Sequence, residues 1–262
     1  MSDEKEEKKK RGFKEDVPAL IVAILIALTI RTFLFQSFYV PSDSMLPTLL
    51  VGDHVFVTKF SFGARIPWTG LQLPALREPA RGEIAVFRLG REGRQVFPPD
   101  QRPKLPTDAF IKRLVGLPGD TVEVRDGRLF LNDREVRTES TGETFTDSTG
   151  RTFDVYEEYL GDCRHRILDD PGSPDINMAP RKVPQGRYFF LGDNRDNSLD
   201  SRRWGTVDRS AMHGPAGLLY WSWDWNGSWL ELANPLTWWR NLTGKTRWER
   251  MGSFVGCEDE NP

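Results

Sequence analysis

The feature that most constrains this chain is the uncharged run Val17–Ile30, VPALIVAILIALTI, which follows directly on a tail of almost continuous charge at residues 1–16. As a helix, a run of this length extends only ~21 Å, short of the roughly 30 Å hydrocarbon layer of a bilayer. Continuation through Arg31 to Phe35 supplies the missing length, and Arg31, near one end, can raise its guanidinium to the interface on its apolar stem. Pro18 falls in the first turn, where the missing N–H is harmless. A membrane anchor over residues 17–35 follows. A cleaved leader would need small residues just beyond the run, and TFLFQSFYV offers bulky ones, so the anchor is expected to be retained. No other stretch is apolar for long enough, so a single pass is expected. Lys5, Lys8, Lys9, Lys10, Arg11 and Lys14 precede the run, whereas residues 36–58 carry neither Lys nor Arg. That asymmetry keeps the tail in the cytoplasm and puts everything after Phe35 outside.

The rest is long enough for a real core, and its 38% hydrophobic content suits one. A formal net charge of −2 speaks against a nucleic-acid binder, which carries a basic face. Cys163 and Cys257 are too few for a disulfide framework, and the spacing leaves open whether they bond to each other. His54, His165 and His213 are widely separated, so no metal site is expected.

Beyond the anchor the pattern is mainly β. Short apolar runs alternate with Gly/Pro turns at 54–60, 83–89, 109–117, 121–125, 128–132, 187–192 and 218–225. Asp126-Gly127 and Asn226-Gly227 are hairpin signals. Residues 133–184 are rich in Thr, Asp, Glu, Arg, Pro and Gly, and read as an inserted, partly looped subdomain. The expected organisation is a cytoplasmic tail at 1–16, the anchor at 17–35, core segments at 36–132 and 185–250 around the insertion at 133–184, and a C-terminal tail at 251–262. Trp221, Trp223 and Trp225 alternate and would share one strand face, either in a sheet core or as an aromatic surface at a lipid interface.

Three segments carry potential chemistry. In FYVPSDSMLPTLLVGDHVFV the hydroxyls Ser42, Ser44 and Thr48 lie among Pro41 and Pro47, which stiffen the backbone and can hold a nucleophile. A serine needs a base, and no His stands in a triad-like setting and no G-x-S-x-G elbow is present. Lys112 in AFIKRLVGL would sit on one strand face with Phe110 and Leu114. Desolvation there disfavours the ammonium, and Ser–Lys pairs are an accepted variant of the triad. The alternative is an ordinary surface lysine. The third segment, GDNRDNSLDSRRWG at 192–205, combines turn-forming Asn and Asp with Asp–Arg pairs able to lock a loop. A calcium loop is its rival, but the ligand spacing is wrong and the arginines oppose a cation.

Together PSDSMLPTLLVGDHVFVTKF, RGEIAVF, FIKRLVGLPGD and GDNRDNSLDSRRWG, in that order after an anchor, resemble the bacterial type I signal peptidases. The resemblance implies an antiparallel β catalytic core with an inserted irregular β subdomain. It also implies Ser44 as nucleophile, Lys112 as general base, and an oxyanion hole from the Ser42 hydroxyl and the Ser44 N–H. Ser198 would orient the lysine, Asp200 and Arg202 would brace the loop, and Asp193 and Arg195 would be structural there. Phe38, Val40, Met45, Leu49, Val55, Val86, Phe110 and Ile111 would line shallow pockets for small residues at −1 and −3, typically Ala-x-Ala. The implied location is the bacterial cytoplasmic membrane with the catalytic domain outside. The implied partners are signal peptides of secretory preproteins, the lipid bilayer and the translocation machinery, with no nucleic acid, metal or cofactor. Two departures stand out: Asp43 replaces a glycine and puts a carboxylate near the dyad, and the anchor is single where some members have two. The reading from another class is a membrane-anchored, non-catalytic binding module using the Trp-rich C-terminal region.

Overall fold

A computed structural model describes residues 17–63, 69, 71–89, 109–224 and 243–257 of the chain. Helix α1, Val17–Leu34, is apolar and none of its residues is buried against the rest of the molecule. Its last residues, Ile30–Leu34, widen into a π-helical turn before strand β1, Phe35–Tyr39. Leu20, Ile21, Leu25 and Ile26 are all exposed, and a bare helix that is apolar on every side is compatible with a lipid span.

The remainder is mainly β. A seven-stranded antiparallel sheet runs β1-β2-β14-β3-β4-β12-β13, with β2 at Asp53–Thr58, β3 at Ile84–Arg88, β4 at Ala109–Gly116, β12 at Arg187–Leu191, β13 at Val207–Asp208 and β14 at Met212–Ser222. Its curl brings residues from well-separated strands together. Val55 and Val57 of β2, Ala216 and Leu219 of β14, Ile84 and Val86 of β3 and Ile111 of β4 form one cluster, plugged by Met45 and Leu49 from the turn after β1. The other face of β3 and β4 packs Ala85, Phe87 and Leu114 against Phe190 and Trp204. Period-2 alternation sorts β3 and β4 between these two layers. The expected strands at 83–89, 109–117, 121–125, 128–132 and 187–192 are present to within a residue or two. The strand near 54–60 stops at Thr58, where a 3₁₀ turn takes over. The last begins at Met212, earlier than its apolar run, because Gly214 and Pro215 still pair with β3.

Two smaller sheets complete the molecule. Strands β5 (Thr121–Arg125), β6 (Arg128–Leu131), β7 (Arg134–Glu135) and β11 (Met178–Lys182) form a four-stranded sheet in the order β11-β5-β6-β7. Asp126 and Gly127 close the β5–β6 hairpin with positive φ at both positions, the geometry that a two-residue turn demands. A boundary at residue 132 therefore falls inside this sheet, which takes strands from both sides of it. Strands β8 (Thr138–Thr146), β9 (Thr152–Leu160) and β10 (Cys163–Asp169) form a three-stranded sheet, with a register shift between Ser140 and Thr144, so the inserted segment is more strand than loop. Its residues are polar because β8 is largely solvated, which hides the alternation. Trp221 and Trp223 are half-buried and flank the fully buried Ser222, so they lie on the outer face and not in the core. Trp225 and the Asn226-Gly227 turn lie outside the described residues.

Cys163, at the start of β10, is bonded to Cys257 in the C-terminal segment. Gly82 makes this possible: it holds φ +87°, and a Cβ there would meet the Cys163 sulfur head-on. The bond ties together residues 94 positions apart, a loop whose closure in the unfolded chain is worth about 4–5 kcal/mol in the entropic account. Replacing both cysteines by alanine should lower stability by about 2–5 kcal/mol, read as a lower urea midpoint in detergent. An unchanged midpoint would mean that the bond does not form or does not constrain the unfolded chain.

Candidate active site

The segment after β1 is fixed from two directions. The Val40 N–H donates to Asp53 O and the Gly52 N–H to Val40 O, closing residues 40–52 into a loop. Within it, Leu46 N–H bonds Asp43 O and Leu49 N–H bonds Met45 O. Met45 and Leu49 are fully buried in the sheet's cluster, so Ser44, immediately before this plug, has little freedom to move. From the other side, the Asn194 N–H donates to Ser44 O at 3.3 Å.

Lys112 approaches from β4. Its β3 neighbour is Ala85, while β12 pairs with β4 only as far as Leu191↔Arg113. Beyond that pair β12 leaves the sheet at Gly192, which passes close to the Ser44 backbone. Gly192 is required there: a Cβ would lie 2.2 Å from Ser198 Oγ and 2.4 Å from Ser44 O. The Lys112 Nζ stands 2.5 Å from Ser44 Oγ and 3.0 Å from the Ile111 carbonyl. Lys112 is 3% exposed and Ser44 6%. Burial lowers the lysine to about 8, against the upward pull of Asp200, Asp193 and Asp43 and with help from Arg202. A neutral amine donates to the carbonyl and accepts the serine proton, the arrangement that activates a hydroxyl.

The 192–205 loop is locked by paired charges. Arg113, wholly buried, grips Asp193 with two bonds at 2.8 and 2.7 Å, and Thr48 Oγ1 donates to the same carboxylate at 2.6 Å. Arg195 forks onto Glu158 of β9. Arg202 forks onto Asp200, which also accepts the Gly192 N–H. Ser201 Oγ accepts the Phe190 N–H. Asp193 and Asp200 thus give their oxygens to arginines, which removes the calcium alternative for this loop. His165 lies 3.3 Å from Glu158; burial first, then the Arg113 charge, press its pKa downward and keep it neutral.

Of the expected site residues, Ser42 and Ser44 lie together, with hydroxyls 3.2 Å apart. Among the described residues the Ser44 N–H has no hydrogen-bond acceptor. Asp200 and Arg202 pair as expected. Ser198 does not bond the lysine: its buried Oγ has no hydrogen-bond partner. Val40, Met45, Leu49, Val55, Val86 and Ile111 share one apolar cluster, with Phe38 against it. Phe110 belongs elsewhere, in the second layer 4.8 Å from Trp204, because it alternates with Ile111 along β4. Sequence reasoning missed Arg113 and Glu158. An arginine next to the lysine on an apolar strand was a signal for the first. Nothing marked Glu158, since burial in β9 changes phase near residue 157.

Residues 13–221 match the family model described as Signal peptidase, peptidase S26. Signal peptidase I of Pseudomonas fluorescens is 40% identical over 186 residues, which cover 69% of this chain and 59% of that protein. The Pseudomonas aeruginosa protein of the same name is 38% identical over an equal span. Signal peptidase I of Leptolyngbya laminosa is 34% identical over 79% of both chains. The match to the two Pseudomonas proteins thus spans 59% of their length. With 209 of its 262 positions inside the family model (221 − 13 + 1), the chain belongs to the signal peptidase family, peptidase S26.

Proposed function

We propose that this protein is a membrane-anchored serine endopeptidase that removes signal peptides from exported preproteins with a Ser44–Lys112 dyad. The observation that carries the reading is the 2.5 Å approach of Lys112 Nζ to Ser44 Oγ in a site almost closed to water. A lysine buried at that cost with an arginine-braced loop around it serves no evident packing purpose, whereas a base near neutrality needs such a setting.

In this reading α1 crosses the bacterial cytoplasmic membrane once, with the basic tail inside and the catalytic domain outside, and the domain rests at the lipid surface where signal peptides emerge from the translocation machinery. The cleavage region lies extended along the free edge of β4. Residues 109–112 pair with β3 on one side, and the β12 ladder ends at Arg113 on the other. A peptide strand added there would run past Ser42 and Ser44. The apolar cluster around Val40, Val86 and Ile111, with Phe38 at its rim, leaves room for small side chains at −1 and −3, which favours Ala-x-Ala. Lys112 takes the proton of Ser44 as Oγ attacks the −1 carbonyl. The Ser42 hydroxyl and Ser44 N–H then stabilise the oxyanion, a contribution of about 3–4 kcal/mol for one well-placed donor. Lys112 returns the proton to the leaving amine, then activates the water that hydrolyses the acyl-enzyme.

Two outcomes are expected. Ser44→Ala and Lys112→Ala proteins should fold yet fail to cut a preprotein with an Ala-x-Ala site in detergent, and Lys112→Arg should fail equally because a guanidinium does not deprotonate. Cleavage above a few per cent of wild type in any of them would remove the dyad, and indifference of all activity to both positions would favour the binding-module reading. The neutral amine is the active form and its pKa is about 8. Turnover should therefore rise from pH 6 through 8 and level off near pH 9, and a flat profile over that range would rule out a lysine base.

A further inference from the structure

The β8–β9 hairpin reaches back to the nucleophile segment. Its turn is built by Asp147, whose Oδ1 accepts the N–H groups of Thr149 and Arg151 and the Thr149 hydroxyl. Its Oδ2 accepts Arg151 Nε at 3.0 Å. Burial pulls this carboxyl upward, but those hydrogen bonds bring it down to about 2. The Arg151 guanidinium also lies over the Phe153 ring, 5.4 Å from its centroid. Phe153 is buried against Leu46, two residues beyond Ser44. Arg151 is thereby aimed before it meets anything else, and its Nη2 stands 3.5 Å from Asp43 Oδ2.

Asp43 is the residue that touches both sides. Its carbonyl accepts from Asn194 and its carboxylate from Asn197 Nδ2 at 2.7 Å, so the side chain is held toward the 192–205 loop and the hairpin. The charged groups facing Lys112 are Asp200, Asp193 and Arg202 from that loop, and Asp43 from its own segment. Asp193 and Asp200 each have a buried arginine of their own, Arg113 and Arg202. The groups facing Asp43 are Arg151, with Asp147 behind it, and across the neighbouring cavity Asp224 and Arg247.

We propose that Arg151 is a positioning residue for the dyad: from the inserted hairpin it holds the Asp43 carboxylate turned away and offsets its charge, which keeps the amine beside Ser44 free to act as a base. The inference rests on the peptidase reading and adds a residue outside the shared motifs to it. Removing Arg151 leaves Asp43 uncompensated and favours the ammonium, while removing the Asp43 charge makes Arg151 irrelevant.

The test uses full-length protein in detergent, with Arg151→Gln and Arg151→Lys each made alone and in an Asp43→Asn background. Two measurements are taken: the pH dependence of kcat/KM on a preprotein, and the titration of the Lys112 ¹³Cε resonance in Ser44→Ala protein, identified by its loss in Lys112→Met. Arg151→Gln should move both the acid limb and the titration up by about half a unit, roughly threefold less cleavage below the midpoint. Arg151→Lys should restore both, and Arg151→Gln should move neither once Asp43 is Asn. An unmoved titration in Arg151→Gln, or an equal shift with Asp43→Asn present, overturns the inference. Wild-type protein that cuts no preprotein overturns the peptidase reading instead, and the titration still decides the coupling between the hairpin and the lysine.

Discussion

The structure depends on the removal of one amine from water. A solvated lysine is protonated near neutrality and can accept nothing. Lys112, lowered to about 8, reaches a far larger neutral fraction because β4 carries it into the interior of a curled sheet, under the turn of residues 43–49 and beside the point where β12 departs. Desolvation is the largest influence on it. Every neighbouring feature can be understood as preserving that dryness or limiting what opposes it. Met45 and Leu49 seal the turn from below, Gly192 lets the loop approach without a side chain, and the β3 ladder closes the remaining side.

The inserted strands contribute more than surface. β9 supplies Glu158, which is fully buried and takes the fork of Arg195, and β10 supplies His165 beside it and Cys163, which anchors the C-terminal segment. Burial alone would drive Glu158 upward, yet the Arg195 charge and its two hydrogen bonds hold it strongly down, so it stays a carboxylate. Breaking such a pair by removing one partner leaves an unpaired buried charge, typically a 3–5 kcal/mol loss. The 192–205 loop is therefore held between the large sheet, through Arg113, and the insertion, through Glu158.

Much of this was legible in the residues. The strands with dense apolar runs, the Asp126-Gly127 hairpin and the apolar N-terminal helix all follow from local pattern. Ser44, Lys112 and the 192–205 loop stood out because hydroxyls among prolines, a lysine on an apolar strand and alternating Asp and Arg are unusual combinations. What stayed hidden was non-local. Polar strands such as β8 lack an apolar stripe, the disulfide joins distant segments, and the partners of Arg195 and Asp193 come from strands whose pairing no short window encodes. Ser198 is a related case: its sequence position fits, but a hydrogen bond to Lys112 depends on side-chain placement that no short window encodes, and its Oγ is left without a partner.

Three carboxylates near a lysine proposed to act as a base look self-defeating, and the arrangement of arginines resolves this. At an effective dielectric of about 20, a lone negative charge roughly 6 Å away raises an amine by about 2 pKa units. Three such charges would return Lys112 to the ordinary lysine range despite its burial. Asp193 is bonded to Arg113 and Asp200 to Arg202, so each presents a dipole to the amine in place of a net charge. The carboxylates are kept because they hold the loop: Asp200 receives the Gly192 N–H and Asp193 receives Thr48, contacts a neutral side chain of that size does not reproduce with the same charge-assisted strength. A dry site can thus be built from a charge-rich loop, provided every anion within reach of the base is matched by a cation that is itself fixed.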